Sequence, residues 1–127
     1  MAKTVLDSSA VIALLLREMG AEFVEENIEG ALISAVNLAE VMSKLIDQKL
    51  AMTDIERVIG SLNLNIVAFD YPQAKTCAEL RSVTRHKGLS LGDRACLTIG
   101  KLEGAKVLTA DKVWAELNLT IDIEVIR

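Results

Sequence analysis

The chain opens Lys3-Thr4-Val5-Leu6-Asp7-Ser8-Ser9-Ala10-Val11-Ile12-Ala13-Leu14-Leu15-Leu16-Arg17, and two kinds of segment meet within it. Lys3–Leu6 is a short β-rich run closed by an acid. The segment from about Ser9 to Arg17 is apolar nearly all round, so it reads as a helix that is buried or lies in an interface. The same alternation continues downstream. Strands are predicted at Ala31–Ile33, Ile66–Phe69, Lys106–Thr109 and Asp122–Ile126, with helical patterns between them. Glu22 to Ile28 is a short amphipathic helix ending before Gly30, and Ser34 is an N-cap for a long helix reaching about Gln48. Thr53-Asp54-Ile55-Glu56 has the form of a capping box, followed by an apolar stripe at Ile55, Val58, Ile59 and Leu62. Asp70 or Tyr71 caps a helix entered by Pro72 and ended by Gly88. Ser90 opens another that runs to about Glu103, with Gly104 past its end. Strands alternating with helices predict an α/β domain with a mainly parallel central sheet of four to five strands flanked by helices. No linker, repeat or low-complexity stretch divides residues 1–127, so one domain is expected.

Composition narrows the class. The 127 residues are 51% hydrophobic but only 3% aromatic, so the core must be aliphatic. No apolar run reaches the ~18 residues of a membrane span, and the N-terminus lacks the basic region and cleavage site of a secretory signal. A cytoplasmic protein without membrane contact is the expectation. Cys77 and Cys96 match neither a redox pair nor a zinc spacing and read as small buried hydrophobes. His86, the one histidine, has no second ligand at zinc spacing and no nucleophile to activate; it reads as an exposed residue near a helix end. No glycine-rich phosphate loop is present.

Four acids stand in distinctive local settings: Asp7 after the first strand, Asp111 two residues past the strand ending at Thr109, Glu40 in Ser34-Ala35-Val36-Asn37-Leu38-Ala39-Glu40-Val41, and Asp93 in Leu89-Ser90-Leu91-Gly92-Asp93-Arg94-Ala95-Cys96-Leu97. In an open parallel sheet, ligands bind beyond the carboxyl ends of the strands, where Asp7 and Asp111 project. Glu40 lies roughly 9 Å along the helix started by Ser34 and leans back toward that end. Gathered carboxylates repel one another unless a hard divalent cation lies between them, and such a cluster equips a protein for metal-assisted phosphodiester cleavage. Each acid also has an ordinary reading. Asp7 and Asp111 serve as N-caps, Asp93 as the capping-box partner of Ser90, and Glu40 as part of a solvated stripe with Asn37, Lys44 and Asp47.

Net charge is −4, but setting those four aside leaves 14 of the 18 acids against 14 Lys plus Arg. Glu18 to Glu29 carries acids and no base, whereas Arg81, Arg85, Lys87 and Arg94 surround Asp93. A basic segment beside a metal ligand suits an anionic substrate; a basic solvated helix face explains it equally.

Val5-Leu6-Asp7-Ser8-Ser9-Ala10, Asn37-Leu38-Ala39-Glu40-Val41, Gly88 to Leu97 and Leu108-Thr109-Ala110-Asp111 resemble, in order and spacing, the motifs of PIN-domain nucleases, most closely the VapC-type toxins of bacterial toxin–antitoxin pairs. The resemblance spans Val5 to about Trp114. It implies a PIN-like fold and a ribonuclease using Mg²⁺ or Mn²⁺. Asp7, Glu40, Asp93 and Asp111 would then be the catalytic, metal-binding quartet, with Ser9 and Thr109 as supporting hydroxyls. It also implies an RNA substrate, a cognate antitoxin and a homodimer, with Ala10–Leu16 and the Ile55–Leu62 stripe available to either partner or to the core. Arg94, Arg85 and Lys87 become candidate RNA contacts, although for Arg94 a structural ion pair is the competing expectation. Two other classes stay open: a non-catalytic interaction module on the same fold, and a phosphoacceptor receiver-type domain. The latter fits poorly, since Pro72 is the only proline and no acidic pair precedes the first strand.

Overall fold

Residues 3–127 are described by the structure, a computed structural model. Five strands form one sheet in the order β3-β2-β1-β4-β5, with every neighbouring pair parallel. They are β1 (Thr4–Leu6), β2 (Leu32–Ser34), β3 (Asn65–Val67), β4 (Lys106–Thr109) and β5 (Ile123–Val125). Helices α1 (Ser8–Leu15) and α2 (Ala21–Asn27) connect β1 to β2, α3 (Ala35–Asp47) and α4 (Met52–Ser61) lead to β3, and α5 (Tyr71–Thr84) and α6 (Leu91–Glu103) lead to β4. From β1 the chain builds outward to β3, then returns to the other side of β1 with β4. That reversal opens a crevice at the carboxyl ends of β1 and β4.

Strand alternation divides the core between the two faces of the sheet. Leu6 and Leu108 point into a cluster with Val11, Leu14, Ile33, Val41 and Ile55, under α1–α4. Val5 and Val107 point the other way, toward Leu80, Leu97, Ile99 and the buried Trp114. Burial on both faces is why the central strands lack an apolar/polar alternation and read as continuous apolar runs. Both cysteines are free and buried. Among the described residues no helix is long and apolar enough to cross a membrane.

Most boundaries agree with the sequence to within two residues. Ser34, Asp70 and Ser90 accept the expected capping bonds from Val36, Gln73 and Asp93. Gly88 and Gly104 end their helical stretches with positive φ of 64° and 61°, which glycine adopts without a Cβ penalty. The capping box at Thr53–Glu56 is overturned. Backbone bonds from Asp54 and Ile55 both reach Ala51 O at 3.0 Å, so the N-cap is Ala51, two residues before Thr53, and Thr53 is already helical. Asp54 pairs instead with Arg57 at 3.2 Å.

The two-sided core predicts a steep gradient in tolerance across the sheet. Leu108→Ala, at a fully buried central position, should cost about 2–5 kcal/mol in urea unfolding. Ile66→Ala, on edge strand β3 where the side chain is 56% exposed, should stay within about 0.5 kcal/mol.

Candidate active site

The carboxyl ends of β1 and β4 are tied by side chains. Asp7 N–H donates to Leu108 O at 3.0 Å, continuing the β1–β4 ladder by one residue. Asp7 Oδ2 then accepts from Ser9 Oγ at 2.6 Å and from Thr109 Oγ1 at 2.9 Å, and the two hydroxyls stand 3.2 Å apart. Ser9 Oγ also accepts from Ala110 N–H at 2.9 Å, and Thr109 Oγ1 from Asp111 N–H at 3.1 Å. Asp7 therefore occupies the N-cap position of α1 without acting as a side-chain cap. The remaining oxygen, Oδ1, is buried with no hydrogen-bond partner among the described residues.

Asp93 and Glu40 approach from α6 and α3. Asp93 is half-buried and forms the reciprocal box with Ser90: its N–H donates to Ser90 Oγ at 3.1 Å, and its Oδ2 accepts from Ser90 N–H at 2.9 Å. Glu40, on the exposed face of α3, is held by Asn37, whose Nδ2 donates to Glu40 Oε1 at 3.0 Å and to Gly92 O at 2.9 Å. A fully buried asparagine thus fastens α3 to the first turn of α6. Gly92 leaves room for the Glu40 carboxylate, since an added Cβ would fall 2.6 Å from Glu40 Cδ and 2.7 Å from Oε1 and displace that side chain. Asp111 is exposed and caps the 3-10 turn at Lys112–Glu116 by accepting from Val113 N–H at 3.0 Å.

Electrostatics couple all four acids. Burial, opposed by the Ser9 and Thr109 hydroxyls and aided by the charges of Asp93 and Glu40, pushes the Asp7 carboxyl up to about 6. Asp93 is also raised, chiefly by burial against its bonds to Ser90, with Asp111 and Glu40 contributing repulsion. The sequence places Asp7 and Asp111 at one sheet edge and permits Glu40 and Asp93 to join them; in the structure Asp7 feels Asp93 and Glu40, and Asp93 feels Asp111 and Glu40. Among the described residues, however, no three His, Cys, Asp or Glu side chains converge closely enough to grip an ion as they stand. The donor set nonetheless suits a hard cation. Every donor is a carboxylate oxygen, and Asp7 Oδ1 is a buried oxygen whose natural partner is positive.

The basic run around Asp93 does not act as a unit. Arg94 is a correction to both expectations for it. It is buried, its Nη1 donates to Cys77 O at 3.0 Å and its Nε has no partner among the described residues. Instead of pairing with an acid or facing solvent, it ties α6 to α5. Lys87 is bound to Glu116 at 2.8 Å, while Arg81 and Arg85 are exposed, as is His86. Asn37 is the site residue that sequence reasoning missed; its signal was its place one turn before Glu40, where it was grouped with a solvated stripe.

With this geometry in hand, comparison with known proteins is specific. The PIN domain family model matches residues 4–118, so the chain belongs to the PIN domain family. Comparison with curated proteins gives no match. Among solved structures, the fold is similar to a chain of DNA-bound VapBC from Salmonella typhimurium, with TM-score 0.76, 19% identity and full coverage of both chains at 100%. It is also similar to a chain of a toxin–antitoxin complex from Klebsiella pneumoniae, with TM-score 0.75, 20% identity and 98% of each chain covered. A third likeness is to FitAcB from Neisseria gonorrhoeae, with TM-score 0.69, 21% identity, and 94% of this chain and 95% of that chain covered.

Asp7 makes stability depend on pH in a definite direction. Its carboxyl is raised from 3.8 to about 6, so the folded state holds the proton more tightly than the open chain does. The favourable contribution is complete below the unfolded value and is lost as pH rises through about 6. In chelator, Asp7→Asn should gain on the wild type by on the order of 3 kcal/mol between about pH 4 and pH 7, measured by urea titration. A gap that ignores pH would show that Asp7 ionises in the fold as it does in the open chain.

Proposed function

We propose that this PIN-domain protein is a metal-dependent endoribonuclease, acting in the cytoplasm as the toxin of a toxin–antitoxin pair. The observation that carries the nuclease reading is the Asp7 carboxylate: buried, fixed through one oxygen by two hydroxyls, with its other oxygen unpartnered and the charges of Asp93 and Glu40 within electrostatic reach. A structural N-cap needs none of this. The site residues of the proposal are Asp7, Glu40, Asp93 and Asp111, which would hold Mg²⁺ or Mn²⁺ directly or through water. Such an ion lowers the pKa of a bound water and neutralises charge developing on the phosphate.

The remaining work falls to the chain. Ser9 and Thr109 hold Asp7 through Oδ2, so its other oxygen is left free for an ion. The Ser90 box sets Asp93 while leaving Oδ1 unengaged. Asn37 and Gly92 together hold Glu40 against the start of α6, so its approach is set by the α3–α6 junction. Holding ligands through outer partners is how proteins preorganise a metal site.

The partner half of the proposal rests on the fold shared with chains of VapBC and toxin–antitoxin complexes. A cognate antitoxin and a homodimer are its expected associations. The competing non-catalytic module keeps the fold but has no use for a raised, half-satisfied Asp7.

Millimolar Mn²⁺ or Mg²⁺ should raise the melting temperature of the purified protein and support cleavage of RNA, and chelator should abolish both. An ion at 100 times its dissociation constant adds about 2.7 kcal/mol. Asp93→Asn should remove cleavage and keep the fold; loss of both would leave Asp93 as a capping residue only. Gly92→Ala should likewise stay folded, because the atoms it meets are the end of the Glu40 side chain. It should raise the Mn²⁺ concentration giving half-maximal stabilisation by about tenfold or more.

A further inference from the structure

Of the four acids, Glu40 lines a cavity of about 360 Å³ between the start of α1 and the face of α3, together with Ser8, Ser9, Glu18, Lys44 and Arg127 among others. That is within the ~300–1,000 Å³ range of small-ligand sites. A larger cavity of about 470 Å³, at the α1–α2 turn, includes none of the four acids and is unrelated to them. Ser9 and Glu40 belong both to the acidic site and to the smaller cavity, so the two adjoin.

Charge along this cavity is arranged by sequence spacing. Lys44 follows Glu40 by one helical turn, on the same face of α3. It is exposed and joins none of the ion pairs formed among the described residues. Arg127 is held only lightly, its Nη1 lying 3.4 Å from Glu18 Oε1 and 3.3 Å from Met19 O. Of the two lining acids, Glu18 is engaged by Arg127 and Glu40 by Asn37. Lys44 is therefore the cation whose charge is not already spent.

A strand cut at the four acids must place its neighbouring phosphates nearby, and the acids themselves repel them. Positive charge adjoining the site is the main electrostatic means of offsetting that repulsion. The basic run around Asp93 cannot supply it as a unit, because Arg94 is buried against α5 and Lys87 is bound to Glu116. We propose that the phosphate next to the scissile one sits in this cavity, held by Lys44 with Arg127 at the outer end. The RNA backbone then leaves the carboxylates between α1 and α3. This inference rests on the ribonuclease reading.

The test uses the full chain, with cleavage arrested by Asp93→Asn, and a fluorescein-labelled single-stranded oligoribonucleotide followed by anisotropy across a salt series. Lys44→Gln should weaken binding about fivefold and reduce the slope of log affinity against log salt by about 0.7. Lys101→Gln, at the far end of α6, should change neither. In the cleaving protein, Lys44→Gln should raise KM and leave kcat nearly unchanged. Binding by the parent protein with no effect of Lys44→Gln, or a larger effect of Arg85→Gln, overturns the cavity assignment. Failure of the wild type to bind or cleave the RNA overturns the ribonuclease reading beneath it.

Discussion

Two hydroxyls share one oxygen of a buried acid, and much of the molecule is arranged around that contact. Ser9 belongs to α1 and Thr109 to β4, yet both donate to Asp7 Oδ2. An ionised carboxylate inside a protein is costly unless hydrogen-bonded or paired. Here half of the requirement is met by the fold and half is left open, and burial, outweighing the two hydroxyl bonds, raises the Asp7 pKa to about 6. The bonds also lock β1 to β4 at the point where the sheet changes direction, so the same atoms that orient the acid close the crevice around it.

The other three acids follow a related economy. Asp93 and Asp111 each cap a helical turn through one oxygen, and Glu40 is held through one oxygen by Asn37. Capping through one oxygen does not use up a carboxylate in this fold. A cap needs a side-chain acceptor at a helix start, which a carboxylate supplies with one oxygen; the sheet puts helix starts at the carboxyl ends of strands, and the second oxygen of each group remains for other work. Gly92 shows how tightly the pieces meet, since the smallest side chain there would enter the space of the Glu40 carboxylate.

The sequence revealed the parts that repeat a local rule. Strand–helix alternation, the Ser34, Asp70 and Ser90 caps and the glycines at helix ends depend on neighbouring residues, and they lie where local chemistry puts them. The acids were identifiable for the same reason, each in a recognisable short setting. What escaped depends on contacts across the fold. Arg94 looked like a surface cation beside Asp93, but α6 is buried on nearly every side at that turn, and the guanidinium is directed into α5. Asn37 looked solvated because α3 is amphipathic; only the arrival of Gly92 from residues far along the chain buries it. The Thr53 box failed because the backbone closed its first turn on Ala51, a choice that side-chain patterns do not record.

The bond from Thr109 to Asp7 also has a consequence for how the protein is made. The two residues are separated by 102 positions, and β1 gains its β4 neighbour only after nearly the whole domain has left the ribosome. Until then the first strand has a partner on one side alone, and Asp7 has no hydroxyl from Thr109. Long-range closures of this kind come late in folding. A nascent or truncated chain that ends before β4 therefore lacks the assembled crevice, which forms only when synthesis is all but complete.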